Sequence, residues 1–316
     1  MERRMLEQNF AYEKTEQGIR ILRCYAPEGR VVIPRELEGI PVTELADYAF
    51  AKEMEAEPEN VRGLPCICGN DLEELCLPDT MRRLGRYVFY NCIQFRSLSF
   101  YSNIAFMGAG GFTGCGHLSH LTMYQKEGMS CLREILQDLK QPVTVECYQA
   151  EREAQGPFCR LVYPEFYEEA VENTPARIIS TQTHGMGIQY RNTFQNTQIN
   201  FREYDKIFET GKYNMDLITI IKITIARLSC PFELEEKSKK EYAFWLREHL
   251  GEAGKYVLEQ EETEVLRWLA ETFAETREEL EVLVQTANDQ SKPELLSILM
   301  DVLHRRFSRK RRSFYV

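Results

Sequence analysis

Apolar residues in the first third of the chain fall into short alternating runs that recur every 23 residues. Leu72, Leu75 and Leu77 are followed by Phe95, Leu98 and Phe100, and then by Leu118, Leu121 and Met123. Further along each unit, Leu84-Gly85 answers Met107-Gly108, Phe89 answers Phe112, and Cys92 answers Cys115, so the register holds through the whole unit. Alternation of this kind places one side chain in two on a buried face, and a fixed period means that each unit buries that face against its neighbours. The expected result is a solenoid of short parallel strands. A stretched earlier unit precedes these: Val31, Ile33 and Pro34 match Leu75, Leu77 and Pro78, while Leu45, Tyr48 and Phe50 match Leu84, Tyr87 and Phe89. The segments 35–44 and 52–69 are then insertions, which solenoids carry as surface loops. Before them, Phe10/Tyr12 and Ile19/Ile21 flank a polar turn and predict a hairpin that caps the first coil.

After Met123 the pattern changes. Leu132, Ile135, Leu136 and Leu139 recur at helical spacing, and residues 142–147 read as a last strand, so the solenoid is expected to end near residue 150. From residue 200 onward the periodicity is helical throughout, with helices expected over 202–210, 215–228, 235–250, 262–274, 277–287 and 293–306. Short loops between amphipathic helices imply antiparallel neighbours. The fold class is therefore α+β, with a solenoid over 1–150, a connecting α/β segment over 151–200, an antiparallel helical domain over 201–306 and a basic tail over 307–316. The recurrence of Val265-Leu266, Leu280 with Leu283, and Leu295-Leu296 resembles ankyrin-like stacked helix pairs, without a Thr-Pro-Leu-His signature.

Two stretches carry a more specific likeness. Ile33-Pro34 with Gly39-Ile-Pro-Val-Thr-Glu-Leu, and Leu75-Cys-Leu-Pro-Asp-Thr-Met-Arg-Arg-Leu-Gly-Arg-Tyr-Val-Phe-Tyr-Asn-Cys92, resemble the BspA-like class of leucine-rich repeats over about residues 19–125. The resemblance implies a curved right-handed repeat with one short strand per unit and a role in protein binding or adhesion, often at a cell surface.

With Leu75 and Leu77 facing inward, the outward positions are Glu74, Cys76 and Pro78, then Ser97, Ser99 and Tyr101, then His120, Thr122 and Tyr124. This polar strip edged by tyrosines is the expected binding face, because tyrosine offers contact area at little entropic cost. Glu74, Ser97, Ser99, Tyr101, His120, Thr122 and Tyr124 are its candidate residues, and a protein or peptide is its expected partner. A second candidate lies at His184, Tyr190 and Arg191. Glycines beside His184 offer backbone donors to an anion, and Arg191 offers a two-pronged contact to a carboxylate or phosphate. The alternative there is a glycine turn joining strands at 178–183 and 188–192, with Arg191 paired to Glu168, Glu169 or Glu172.

Composition narrows the classes further. The formal charge is −10, yet the last fifteen residues hold six Lys/Arg and no acid, so the rest of the chain is more acidic still. Such a body argues against nucleic acid as the partner. The basic tail, joined to the apolar face of the last helix, is a candidate for contact with an anionic membrane surface. No run reaches the roughly 18 apolar residues of a membrane span, the N-terminus lacks an apolar signal core, and a cytoplasmic protein with reduced cysteines is expected. Hydrolase elbows, zinc-protease helices and phosphate loops are absent from the sequence, and Cys66-Ile-Cys68 has no second ligand pair beside it, so neither an enzyme nor a cofactor or metal is expected. The reading is a binding scaffold that uses its strand face. A sensor or enzyme for a small anionic ligand around residues 184–191, and a surface adhesin, are the alternatives.

Overall fold

The computed structural model describes residues 8–52, 63–126, 130–150, 156–173 and 178–307. The chain divides into two compact units, Met1–Asn214 and Met215–Val316.

Within the first unit the expected hairpin forms. Strands β1 (Asn9–Thr15) and β2 (Gly18–Tyr25) pair antiparallel around a tight turn. The coils follow through β3 (Arg30–Val32), β4 (Glu36–Leu37), β5 (Ile40–Leu45), β6 (Glu74–Cys76), β7 (Arg83–Leu84), β8 (Ser97–Tyr101), β9 (Phe106–Met107), β10 (His120–Gln125), helix α1 (Leu132–Asp138) and β11 (Val143–Gln149). They build two sheets. In the first, β3, β6, β8, β10 and β11 run parallel, and β12 (Cys159–Tyr163) adds antiparallel to β11. In the second, β2, β5, β7 and β9 run parallel, with β1 antiparallel at one end and β4 paired to β5. Each full coil thus contributes two short strands, one to each sheet, where the family likeness implied one. The second strand is only two residues long, too short for alternation to reveal.

The spine between the sheets is the column expected from the repeat. Val31, Leu75, Leu98, Leu121 and Val145 lie in register across the first sheet, and Ile21, Leu45, Leu84 and Met107 across the second. Phe50, Phe89 and Phe112 stack between turns with centroids 5.7 and 5.1 Å apart. Beneath them the repeat cysteines tie one coil to the previous one, Cys92 Sγ donating to the Phe50 carbonyl at 3.3 Å and Cys115 Sγ to the Phe89 carbonyl at 3.1 Å. Burial pushes the Cys115 thiol up to about 12, so it stays protonated and packs as a small apolar residue. Gly85 and Gly108 sit where backbones of adjacent coils touch: a Cβ on Gly85 would lie 2.4 Å from the Ala46 carbonyl carbon, and one on Gly108 2.3 Å from the Arg86 nitrogen.

Both ends of the first sheet are finished by side chains. At β3, the Gln8 amide donates to the Arg30 carbonyl and accepts from the Val32 amide, each at 3.3 Å. At β12, the Tyr204 hydroxyl donates to the Val162 carbonyl at 2.6 Å and accepts from the Val162 amide at 3.0 Å. Exposed strand edges invite further pairing, and these contacts occupy them. Tyr204 comes from helix α3 (Phe201–Lys206). The rest of the unit holds a hairpin of β13 (Tyr167–Asn173) and β14 (Ile178–His184), helix α2 (Gly187–Arg191), a small hairpin of β15 (Phe194–Gln195) and β16 (Gln198–Ile199), and helix α4 (Phe208–Gly211). Residues 188–192, expected as a strand, instead continue α2 as far as Arg191, with Asn192 as its C-cap and Gly187 packed against the Pro164 carbonyl.

The second unit is helical, with α5 (Leu217–Ser229), α6 (Glu236–Glu248), α7 (Leu250–Glu259), α8 (Thr263–Thr272), α9 (Arg277–Asp289) and α10 (Pro293–Phe307). Helix α7 was not expected, since Gly251 and Gly254 interrupt its apolar stripe. Gly254 is small because α9 comes close, with Leu283 Cδ2 2.1 Å from the place a Cβ would take. Helix α7 packs on α9 and α8 on α10. The successive helices α7–α8 correspond to α9–α10 at an offset of about 30 residues, and left-handed residues Glu261 (φ 58°) and Ser291 (φ 56°) end α7 and α9 alike. A capping box between Thr276 and Glu279 starts α9.

Candidate functional site

The outward side of the first sheet presents three rows running across the strands. Arg30, Glu74, Ser97, His120 and Thr144 form one, and Val32, Cys76, Ser99, Thr122 and Glu146 the next. The third is aromatic: Tyr101, Tyr124 and Tyr148 occupy equivalent positions on β8, β10 and β11. All seven strand-face candidates from the sequence, Glu74, Ser97, Ser99, Tyr101, His120, Thr122 and Tyr124, share this face. His120 is exposed and the others are half-buried.

The tyrosine rings stack along the sheet, with centroids 4.9 Å apart between Tyr101 and Tyr124 and 5.8 Å between Tyr124 and Tyr148. Offset stacks of this kind contribute about 0.5–1.5 kcal/mol each beyond area burial. Because Tyr124 has a neighbour on either face, the ladder turns ring edges, which carry partial positive charge, toward an incoming partner. Charged groups flank it. Lys126 Nζ lies 2.9 Å from Asp79 Oδ2 and 5.2 Å from the centre of the Tyr101 ring. Arg35 Nε lies 3.4 Å from the other Asp79 oxygen. Desolvation pushes the Asp79 carboxyl up, but Lys126, Arg35 and Arg82 outweigh it and hold the group below its usual value. At the far side, Arg160 Nη2 meets Glu146 at 2.7 Å, and the Tyr148 hydroxyl donates to the same carboxylate at 3.0 Å. Glu74 pairs with Arg30 at 3.5 Å, and His120 Nδ1 is 3.0 Å from the Ser119 hydroxyl.

Sequence reasoning missed Tyr148, Glu146, Arg160, Lys126 and Asp79. Helix α1 shifts the spacing from Tyr124 to Tyr148 to 24 residues, which breaks the period by one. The strand 142–147 was legible, and continuing its alternation by one more position would have reached Tyr148.

The second candidate group does not converge. His184 closes β14, with its ring stacked on Tyr167 at 4.7 Å and Nε2 3.6 Å from Glu169. Tyr190 is fully buried, its ring against Tyr204 at 4.8 Å, and desolvation raises its phenol well above the ordinary value. Arg191 is 1% exposed. An ion pair with Glu168, Glu169 or Glu172 had been expected; the side chain of Glu172 lies outside the described residues, and Arg191 pairs with neither of the other two, donating instead to carbonyls: Nε to Leu136 at 3.1 Å and Leu139 at 2.8 Å, Nη1 to Pro164 and to Gly187 at 3.0 Å, and Nη2 to Gln141 at 2.8 Å. Two of these acceptors, Leu136 and Leu139, lie at the end of helix α1, where orphan carbonyls and the negative pole of the helix favour a cation. Burial pulls the guanidinium down to about 10, still charged at neutral pH. Arg191 thus fastens α1, the 139–141 turn, the end of β12 and α2 together, and has no face left for a ligand.

Among the described residues no three of His, Cys, Asp and Glu cluster as metal ligands, and no helix is long and apolar enough to cross a membrane. Glu168 pairs with Lys140, and the glycine-rich run Gly108-Ala-Gly-Gly111 forms a coil turn. Of the basic tail, residues 308–316 lie outside the described residues; Arg305 and Arg306 end α10, bonded to Glu271 and Asp301 and to the Ala270 carbonyl.

No curated protein matches the chain. Two solved structures do: a leucine-rich repeat protein of T. pallidum, at 21% identity over 37% of this chain and 51% of that one, with a TM-score of 0.25, and a leucine rich cell surface protein of Faecalibacterium prausnitzii A2-165, at 17% identity over 40% and 38%, with a TM-score of 0.26. The chain therefore spans about half, or less, of the solved proteins it matches. The family model for the BspA type leucine rich repeat region matches in six copies over residues 66–135, the segment that holds the Leu75, Leu98 and Leu121 spine, Cys92 and Cys115, and Phe89 and Phe112 of the ring stack. That segment of the chain is a BspA-type leucine-rich repeat region, and the first unit is built around it.

Proposed function

We propose that the first unit is a non-catalytic scaffold that binds a protein or peptide on the outward face of its first sheet. The observation that carries this reading is the in-register ladder of Tyr101, Tyr124 and Tyr148, set between the Lys126–Asp79 pair and the Glu146–Arg160 pair. Aromatic residues ringed by polar groups on a rigid platform are the usual composition of binding hot spots. Leucine-rich repeats generally serve as binding scaffolds, which agrees. The ten cysteines are all free, and this supports a reducing compartment as the place of work.

The test is affinity capture with the parent protein and with a Tyr101→Ala, Tyr124→Ala, Tyr148→Ala variant shown by circular dichroism to be folded. Truncating hot-spot tyrosines costs about 2 kcal/mol or more, so partners held by this face are expected to weaken by roughly thirtyfold or beyond. Partners captured equally by both proteins would reject the face. Fractionation that finds the chain outside the cell would reject the compartment.

A further inference from the structure

The second sheet stops one coil before the first. In each coil the same two carbonyls of the second sheet accept from the next strand: Thr43 from the Arg82 amide and Leu45 from Gly85, then Arg82 from Phe106 and Leu84 from Gly108. The corresponding carbonyls of the next coil belong to Ala105 and Met107, and among the described residues no amide reaches them. Strand alternation also turns the Met107 amide away from β7. The cause is in the sequence: where a further second-sheet strand would follow β10, the chain forms helix α1. Between β9 and α1 lies a cavity of about 380 Å³, lined by Phe106, Met107, Gly110, Glu134, Asp138 and Thr197 among others.

Two properties define what fits there. An unpaired strand edge beside a cavity accepts an extended backbone. Glu134 and Asp138, one helical turn apart on α1, supply two carboxylates to the wall. Among the described residues neither has a cationic partner; Asp138 accepts only from the Phe112 amide at 3.4 Å, and Arg83 lies on the Phe106 ring at 3.9 Å from its centre. Desolvation raises the Asp138 carboxyl above its usual value, as expected of a carboxylate that lacks a counter-charge. Phe106 is 43% exposed and provides an apolar contact at the same edge.

We infer that the β9 edge is a docking site for an extended segment of another protein that carries lysine or arginine. Its backbone adds to the second sheet through Ala105 and Met107, and its basic side chain meets Glu134 and Asp138. This site is separate from the tyrosine face.

The probe is a blocked hexapeptide alternating valine and lysine, titrated into the full chain by fluorescence anisotropy. Binding is expected, with slowed hydrogen exchange at the Met107 amide. A Glu134→Gln, Asp138→Asn variant, which keeps the side-chain shapes, is expected to bind about tenfold more weakly or worse. So is the parent with a probe N-methylated on alternate backbone amides, a change that leaves the protein untouched. Replacing lysine by glutamate in the probe is expected to abolish binding, and the triple tyrosine variant is expected to bind like the parent. Absence of binding at millimolar probe, equal binding of the N-methylated or glutamate peptide, an unchanged affinity in the Gln/Asn variant, or a loss in the tyrosine variant would each overturn the inference. None of these outcomes bears on whether the tyrosine face binds its own partner.

Discussion

Arg191 shows how a residue type that suggests a ligand site can be consumed by structure. A guanidinium offers five N–H donors in a fixed plane, and here four of them serve five carbonyls: Nε is shared by Leu136 and Leu139, Nη1 reaches Pro164 and Gly187, and Nη2 reaches Gln141. These groups come from four separate segments, so the side chain replaces hydrogen bonds that regular secondary structure cannot supply at the point where coils give way to helix and turn. Arg191→Met fills the volume but leaves those carbonyls unsatisfied, and the expected loss is about 3 kcal/mol or more. Arg191→Lys is expected to recover only part of it, since an ammonium is a single point with three donors. Urea unfolding of the three proteins checks both statements, and an unchanged midpoint for Arg191→Met would show that water satisfies the carbonyls equally well. The sequence could reveal that Arg191 follows a glycine-rich turn. It could not reveal that four of the five acceptors lie 27 to 55 positions away.

At the scale of elements, the coil stack was legible because it repeats. A column such as Leu75, Leu98 and Leu121 announces itself three times, and each copy supports the others. The two-residue strands β7 and β9 and the helix α7 were not legible. The former are shorter than any alternation, and the latter is interrupted by glycines whose purpose is contact with α9. Glycine serves a related purpose in the coils. Gly85→Ala or Gly108→Ala would drive a methyl group into neighbouring backbone, which cannot give way, and each is expected to cost about 2–3 kcal/mol. Gly116→Ala faces open space and is expected to stay within about 0.5 kcal/mol of the parent. Thermal melts of the three variants separate a contact requirement from a general dislike of substitution in turns.

At the scale of the molecule, each unit has its own buried core: Leu75, Leu98, Phe89 and Leu121 in the first, and Ile221, Leu246, Leu269, Leu283 and Leu299 in the second. Fragments 1–214 and 215–316 are therefore expected to fold separately, each with a cooperative melt and the circular dichroism of its own class. A fragment that melts without a transition would show that its core needs the other. The finishing of the first sheet by Gln8 at one end and Tyr204 at the other bears on association between copies. Fibre growth by strand addition needs complementary vacancies at both ends of one continuous ribbon, so that every joined chain offers a fresh site for the next. Here the longer ribbon is occupied at both limits, so copies of the chain are not expected to lengthen it by adding strands.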